Sequence, residues 1–329
     1  MPSHLRAVTY NILLGGERRE DSIAALLERC DADIIALQEA SDLGLVRRLT
    51  DRLGMRMAVG KPSDRGRMNL AVLSRHPFTR WRNHRHPGRM LRAHLECEVA
   101  VNADHTHRIR VHNLHLAARF GERANGEERR MRELGAILGD IRHSGHAPHL
   151  LLGDFNAVAP GDVVAASDFF ARLSELRRAG LMVRGLDGLM GPRGRTAAVD
   201  RALDEAYLAA GIDPALEAGL PRLPWIVGPI TGVLPRAQIT DRVLNRFIER
   251  WCVPHLLEAG YTDCYRALHD DRGYTCATWM PAARIDYVFA DSTLAERLKS
   301  CEVVGGARRP EPAAAAASDH FPLLAEFAL

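Results

Sequence analysis

The sequence predicts a layered α/β protein, because short apolar segments typical of strands alternate with amphipathic segments typical of helices. The composition is that of an ordinary globular protein, since 47% of the residues are hydrophobic and 26% are charged. A chain of 329 residues is also long enough to bury a large core. We therefore expect a single domain over residues 1–329, within which one region departs from the alternation.

Three helices are predicted in the regular part of the chain from the spacing of their apolar residues. Residues 20–30 place Ile23, Leu26 and Leu27 on one face. The second helix ends at Gly54, because glycine suits the left-handed conformation that follows many helix C-termini. In chain order, the helical segments are EDSIAALLERC, DLGLVRRLTDRLG and NGEERRMRELGAILGDIR.

Eight strands are predicted from short runs of apolar, β-branched and aromatic residues bounded by turn-forming residues. The first strand ends at Asn11 and is followed by a turn at Gly15 and Gly16. The second has the appearance of a fully buried strand and stops at Glu39. In chain order, the strand segments are HLRAVTYNIL, DIIALQEA, NLAVLSR, LRAHLECEVAV, RIRVHNLHLA, PHLLLGDFN, ARIDYVFAD and FPLLAEFAL.

The region from about 183 to 249 breaks the alternation, and we interpret it as a helical insertion within the one domain. Two segments of helical pattern, GRTAAVDRALDEAYLAAG and TDRVLNRFIER, flank a connection rich in proline and glycine. The insertion is either a lid over a functional site or a helix pair that only supports the fold. Its candidate packing aromatics are Trp225, Phe247 and Trp251. Five alanines at 313–317 predict a short mobile loop.

Charge and cysteine usage limit the classes of function that need consideration. The formal net charge of +3 permits an anionic substrate but is too small to require nucleic acid. No apolar run approaches the roughly 20 residues of a membrane helix, and the first residues do not have the pattern of a signal peptide. Six scattered cysteines without a CxxC pair indicate free thiols in a reducing compartment, so we expect a cytoplasmic protein.

Polar side chains stand where predicted strands end, which is the main functional signal of the sequence. Catalytic groups are typically carried by loops at one edge of a rigid layered scaffold. In GDFN, strand alternation predicts that Asp154 and Asn156 share one face while Phe155 enters the core. The residues at or just after a strand end are Asn11, Glu39, His115, Asp154 and Asn156; Asp286 is expected inside a strand, and Asp319 with His320 just before the last one.

This set is rich in oxygen ligands, because four carboxylates are accompanied by two carboxamides and two imidazoles. Clustered carboxylates repel one another and resist burial unless a cation compensates their charge. Such sites suit Mg²⁺ or Mn²⁺, which also bind substrate phosphate, whereas zinc prefers histidine and cysteine ligands. The chemistry that these residues predict is metal-assisted displacement at phosphorus.

Seven short strings occur in the order expected of the endonuclease/exonuclease/phosphatase superfamily, and the sequence resembles that family over nearly its whole length outside the insertion. The strings are TYN, LQE, NLAVLSR, NLHL, GDFN, RIDY and SDH. The resemblance implies the DNase I-like fold, a four-layer αββα sandwich of two facing mixed sheets with helices outside. It also implies hydrolysis of phosphate esters with Mg²⁺, without a covalent intermediate.

The resemblance further implies a role for each polar residue. Glu39 would be the principal metal ligand, assisted by Asn11 and Asp319. Asp154 would align or deprotonate the attacking water, which Asn156 helps to position.

Two histidines complete the implied site. Asp286 would orient His320, which contacts the scissile phosphate. His115 corresponds to the second histidine that contacts phosphate and supports the transition state or protonates the leaving group, although the sequence offers it no clear acidic partner.

The sequence leaves several functions open. The leading prediction is a Mg²⁺-dependent phosphodiesterase, with Mn²⁺ as an alternative metal, acting on nucleic acid, a small molecule or a lipid headgroup. A phosphomonoesterase acting on a phosphorylated polyol or lipid shares the same catalytic set, and a binding module that kept the fold without its chemistry belongs to another class. The basic stretch 75–92, which contains Trp81, fits either a phosphate-binding groove or a solvated loop. We expect a monomer by default.

Overall fold

The computed structural model describes residues 4–63, 68–102, 106–118, 126–179, 181, 204–214, 216, 236–306 and 310–329. The strands in these residues are β1 (His4–Asn11), β2 (Ile34–Gln38), β3 (Arg56–Gly60), β4 (Leu70–Ser74), β5 (Phe78–His84), β6 (His94–Ala100), β7 (Arg108–His115), β8 (His149–Asp154), β9 (Thr262–Asp263), β10 (Asp286–Ala290), β11 (Leu298–Val303) and β12 (Leu323–Ala328). The helices are α1 (Glu20–Cys30), α2 (Leu43–Arg52), α3 (Gly126–His143), α4 (Ala166–Arg178), α5 (Gln238–Asn245), α6 (Cys252–Glu258), α7 (Ser292–Ala295) and α8 (Pro312–Ala317).

The strands form two mixed sheets of six strands each. Sheet 1 has the order β11-β12-β1-β2-β4-β3, and sheet 2 has the order β5-β6-β7-β8-β10-β9. Each sheet contains one parallel pair at its centre, β1 with β2 and β7 with β8, and the other pairs are antiparallel. Each parallel pair is connected through a helix, as a crossover between parallel strands requires. The carboxyl ends of these four strands are where the polar residues stand.

The two sheets face each other across an apolar layer, and helices cover their outer faces. Alternate residues of β6, Leu95, Cys97 and Val99, enter the layer between the sheets, where they meet strand residues of sheet 1. Helices α1, α2 and α8 pack on the outer face of sheet 1. Helices α3 and α6 pack on the outer face of sheet 2. The predicted four-layer αββα sandwich is therefore confirmed.

A buried polar contact joins the two sheets near the functional edge. The amide nitrogen of Asn113 in β7 donates to the carbonyl oxygens of Leu37 and Ala71 in sheet 1, at 3.0 and 2.8 Å. Its amide oxygen accepts a 2.8 Å hydrogen bond from Gln38. Leaving a buried amide without hydrogen-bond partners destabilises the folded protein, so these bonds favour the one alignment of the two sheets in which the amide is paired.

Several local expectations were wrong, each for a tertiary reason. The alanines at 313–317 form most of helix α8, which Pro312 begins, because Ala314 and Ala317 bury against the α1 side of sheet 1. Strand β10 begins at Asp286 and not at Ala283 as the segment ARIDYVFAD predicted, so Asp286 is a strand residue as expected but stands at the first position. Phe247 and Trp251 are 75% and 48% exposed, so they do not pack in the core.

The described part of the insertion packs close to the functional edge. Residues 204–209 are helical, and Tyr207, Ile212 and Leu216 form a small apolar cluster with Leu13, which follows β1. Residues 182–203, 215 and 217–235, including Trp225, lie outside the described residues. The lid and the supporting helix pair thus both stay predictions. Among the described residues, no helix is both long enough and apolar enough to cross a bilayer.

Candidate active site

The eight polar residues lie at one edge of the sandwich because of strand direction and register. Asn11 pairs with Gln38 across β1 and β2, so Glu39 follows directly beside it. In sheet 2, His115 pairs with Asp154 across the parallel strands. Strand β10 runs antiparallel to β8, so its first residue, Asp286, pairs with the last residue of β8. The remaining two residues precede β12, which runs antiparallel to β1, and this places Asp319 and His320 at the same edge.

The Asn11 side chain lies between a carboxylate at a strand end of sheet 1, Glu39, and one at a strand end of sheet 2, Asp154. Its amide nitrogen lies 3.3 Å from Glu39 Oε1 and 3.1 Å from Asp154 Oδ2. Its amide oxygen accepts from the backbone nitrogen of Leu13 at 3.0 Å, and Glu39 Oε2 accepts from that of Leu14 at 2.8 Å. The turn after β1 therefore holds Asn11 and Glu39 in fixed orientations.

Asp154 and Asn156 converge by a turn and not by strand alternation. Strand β8 ends at Asp154, and Asn156 has a left-handed backbone with φ of 49°. The backbone nitrogen of Asn156 donates to Asp154 Oδ1 at 2.9 Å, which is the geometry of an Asx turn. Between them, Phe155 is fully buried against Tyr287 and Phe289, so it does enter the core.

His320 and Asp286 form a buried pair at the same edge. His320 Nδ1 lies 2.8 Å from Asp286 Oδ2, while the opposite nitrogen, Nε2, lies 3.9 Å from Asp154 Oδ2 and 4.0 Å from Asp319 Oδ1. Burial is the largest single influence and lowers the pKa of His320, but the charges of Asp286, Cys276 and Asp319 and the hydrogen bond to Asp286 together raise the pKa well above its ordinary value. The surroundings of His320 therefore favour its charged form, and its Nε2 faces Asp154 and Asp319.

His115 has a different character. Its Nε2 lies 3.3 Å from Asp154 Oδ2, and its buried Nδ1 has no hydrogen-bond partner among the described residues. Burial, with smaller contributions from the charges of Arg92 and His320, holds its pKa well below the ordinary value. Burial therefore disfavours the charged form of His115, and the acidic residue that the structure places beside it is Asp154.

The hydrogen-bond and charge partners of the buried carboxylates Asp154 and Asp319 do not fully offset the cost of burying their negative charge. Burial and the neighbouring charge of Asp286 raise the pKa of Asp154 to about 7. Burial also raises the pKa of Asp319, with a further contribution from Glu39. One oxygen of Asp286, Oδ1, is buried without a hydrogen-bond partner among the described residues. The raised pKa of Asp319, to which the charge of Glu39 contributes, is what a divalent cation bound by these two carboxylates would relieve, so the residues fit an oxygen-liganded Mg²⁺ or Mn²⁺.

Thr275 and Ser318 hold the backbone of the candidate active site, and neither was among the predicted site residues. The Thr275 hydroxyl oxygen accepts from the backbone nitrogens of Ile285 and Asp286, at 3.1 and 3.2 Å, and so fixes the start of β10. The Ser318 hydroxyl donates to the backbone oxygen of Asn11 at 2.7 Å. Ser318 stands in the SDH string and could have been included, whereas no signal in the sequence connects Thr275 with this edge.

Together, two facing mixed sheets between helices and a polar edge of carboxylates, amides and imidazoles define a DNase I-like hydrolase fold. The model of the endonuclease/exonuclease/phosphatase family matches residues 8–320. The chain therefore belongs to this family, whose enzymes hydrolyse phosphoester bonds. No curated protein matches the sequence.

Solved structures agree with this assignment of the fold. The chain is similar to an endonuclease/exonuclease/phosphatase from Beutenbergia cavernae at 18% identity and a TM-score of 0.58, over 99% of this chain and 72% of that one. It is similar to the 3′ phosphatase NExo from Neisseria, solved bound to a product DNA hairpin, at 16% identity and a TM-score of 0.55, over 99% and 100% of the two chains. The same identity, TM-score and coverage are found for an AP endonuclease from Archaeoglobus fulgidus.

Proposed function

We propose that the protein is a Mg²⁺-dependent phosphodiesterase, with Mn²⁺ as an alternative, in which a water bound at this edge attacks phosphorus. The observation that carries the proposal is the position of Asp154. Its two oxygens are contacted by Asn11, Asn156 and His115, and the His320–Asp286 pair lies alongside. A buried carboxylate surrounded by donors and an imidazolium is suited to orient a water beside a bound phosphate.

Glu39 and Asp319 supply the carboxylates for the metal in this proposal. Asp154, Asp286 and His320 have ligand atoms within 4.8 Å of one another, but Asp286 and His320 are already paired, so we assign this trio to the reacting groups. Bound metal would polarise the phosphoryl oxygen and lower the pKa of water. Asn11 presents its amide nitrogen to the carboxylates and so orients them; ligation through Oδ1 would require the amide to be reversed.

Asp154 acts as the base in the proposed reaction. Its pKa of about 7 lies near the operating pH, where a carboxylate both ionises and accepts a proton effectively. Asn156 is held by its own amide nitrogen, which donates to the Leu116 backbone oxygen at 3.1 Å, so its amide oxygen is left to position the water. These two residues together define the direction of attack.

The histidines act on the phosphate. His320, charged through Asp286, stabilises the negative charge that develops on the phosphoryl oxygens. Burial holds the pKa of His115 well below its ordinary value, so we assign it a hydrogen bond to the phosphate and not the delivery of a proton to the leaving group. Departure of the leaving group therefore relies on another proton source, such as solvent.

The test uses metal-stripped protein and three substrates side by side: bis-p-nitrophenyl phosphate, p-nitrophenyl phosphate and plasmid DNA. Each is assayed with Mg²⁺, Mn²⁺ or EDTA, for the unmodified protein, Asp154→Asn and Asp291→Asn. Asp291 caps α7 at the opposite end of β10 and asparagine caps equally well, so this variant controls for an aspartate lost elsewhere. We expect turnover of a diester with either metal, its loss with EDTA or Asp154→Asn, and no change with Asp291→Asn.

The other outcomes select the alternatives. Turnover of p-nitrophenyl phosphate alone would indicate a phosphomonoesterase. Preference for plasmid DNA, weakening steeply with added salt, would identify a nuclease within the proposed class. Metal binding without turnover of any substrate would reject the enzyme and favour the binding module.

A further inference from the structure

A second cluster of ligand-type side chains lies on the outer face of sheet 2, beneath α3, and no part of the proposed reaction uses it. His84 ends β5, His86 follows it, and His94 begins β6. Asp140 comes from the last turns of α3. The cluster therefore joins the edge of sheet 2 to the helix that covers it.

Three imidazole nitrogens surround the Asp140 carboxylate. His86 Nε2 and His94 Nδ1 lie 2.8 and 2.9 Å from Oδ2, and His84 Nδ1 lies 3.4 Å from Oδ1. The rings of His84 and His94 stack with centroids 4.6 Å apart. One ligand atom each from His84, His94 and Asp140 lies within 4.8 Å of the other two, and His86 Nε2 approaches the same Asp140 carboxylate from outside this trio.

We propose that His84, His94 and Asp140 bind one divalent transition-metal ion, and that the partly exposed His86 joins them as the fourth ligand by a change of its side-chain conformation. Zn²⁺ is the ion that this donor set favours. Imidazole nitrogen with a single carboxylate is a tetrahedral zinc set, and ligand atoms at about 2.0–2.1 Å from a tetrahedral metal lie about 3.3 Å from one another. The separations from Asp140 approach this value before any adjustment to the ion.

The contacts of the far ring nitrogens support the proposal. His84 Nε2 lies 2.7 Å from Glu96 Oε2, and His94 Nε2 lies 2.9 Å from His112 Nδ1. Metal-ligating histidines usually have their second nitrogen held in this way by a carboxylate or another acceptor. Around an ion, His84 would donate from Nε2 to Glu96 while the lone pair of Nδ1 faces the metal, and His94 would do the same toward His112.

Without an ion, the same geometry is harder to satisfy. A neutral His84 has one N–H and one lone pair, yet carboxylates lie at both of its nitrogens. Either the ring carries two protons while 8% exposed, or a lone pair faces a carboxylate oxygen. A bound cation removes this conflict, since the four ligands and their outer contacts then have mutually consistent protonation.

The cluster has a path to solvent but no position for a substrate. His86 and Asp140 are 24% and 16% exposed, so an ion can enter from their side. Four protein ligands leave no open coordination position, which is typical of a structural zinc site. An ion here would pin the segment after β5 to α3, and that segment includes Arg92, which donates to the Leu116 backbone oxygen beside the candidate active site at 2.8 Å.

The test measures metal binding directly, so it does not depend on the proposed hydrolysis. Demetallated protein is titrated with Co²⁺, whose visible absorption is strong in tetrahedral sites and weak in octahedral ones, and then with Zn²⁺ in competition. The ligand variants are His86→Ala, at a partly exposed position, and the near-isosteric Asp140→Asn. His143→Ala is the matched control, because His143 is an exposed histidine of α3 and, within the described part of the chain, bonds its own helix at the Gly139 backbone oxygen and nothing else. Glu39→Gln separates this site from the proposed magnesium site.

We expect one tetrahedral Co²⁺ per chain that Zn²⁺ displaces, unchanged in His143→Ala and Glu39→Gln. Both ligand variants should lose more than the 10–100-fold in affinity that outer-contact substitutions typically cost, with folding checked by circular dichroism. Absence of a tetrahedral spectrum in the unmodified protein would overturn the proposal. So would an affinity in folded His86→Ala and Asp140→Asn equal to that of His143→Ala.

Discussion

Replacing Asp286 with asparagine tests the proposed pairing with His320 while preserving the shape of the side chain. In the structure, Asp286 Oδ2 lies 2.8 Å from His320 Nδ1, and both side chains are buried. Asparagine still fills the space and can accept a hydrogen bond, but it carries no charge. The substitution therefore removes the electrostatic part of the contact.

The expected loss follows from the strength of that contact. A hydrogen bond to a charged group contributes about 1.5–3 kcal/mol, and about 1.4 kcal/mol corresponds to tenfold in rate, so kcat/KM should fall about 10- to 150-fold. The charge of Asp286 raises the pKa of His320, so removing it should lower that pKa. The alkaline limb of the pH profile, where His320 gives up its proton, should therefore move to lower pH. The acid limb should also move to lower pH, because the charge of Asp286 raises the pKa of Asp154 and the substitution removes that charge.

The assay is the pH profile of kcat/KM for the preferred phosphodiester, with Asp291→Asn, just beyond the opposite end of β10, as the control. Circular dichroism and a melting curve establish that Asp286→Asn is folded. A variant within threefold of the unmodified protein, with an unmoved alkaline limb, would refute the idea that this charge acts through His320.

Three further outcomes concern stability. Arg284→Met should lower the free energy of unfolding by about 3–5 kcal/mol in urea titrations, with Arg284→Lys intermediate, because the guanidinium is fully buried between two aspartates at 2.9 and 2.7 Å; an unchanged midpoint would contradict this. Metal-stripped protein should lose stability as the pH falls from the usual carboxyl pKa toward about 2. Burial raises the pKa values of Glu96 and Asp140, but hydrogen bonds lower them more and hold both at about 2. The unfolded chain therefore takes up protons on these groups before the folded protein does. Urea midpoints across this range give the slope, which Glu96→Gln should reduce. Gly153→Ala should cost about 1–3 kcal/mol or more, since a Cβ there would stand 2.1 Å from the Leu114 backbone oxygen; thermal melting measures it.

The spacing of apolar residues predicted the helices and strands best where one face of the element is buried. The helices at 20–30 and 43–52 and the buried strand at 34–38 follow their sequence patterns closely, because apolar spacing and burial agree there. Strand β5 lacked such a signal, since its residues 79–82 are exposed at the edge of sheet 2. The short helix after Asp291 ends at Ala295, and the following residues become strand β11 because they pair with β12.

By itself, the sequence determined which chemical groups the protein has and that strand ends carry them: Asn11, Glu39, His115 and Asp154 are each the last residue of a strand or the next one along. Only the tertiary structure decided which groups touch. Register brings Asp286 opposite Asp154, and a turn brings Asn156 back onto it. The same is true of the histidine cluster at Asp140, whose members come from the edge strand β5, the loop after it, the neighbouring strand β6 and helix α3. Side-chain type is local information, whereas contact between distant residues depends on sheet pairing and burial, which no local pattern specifies.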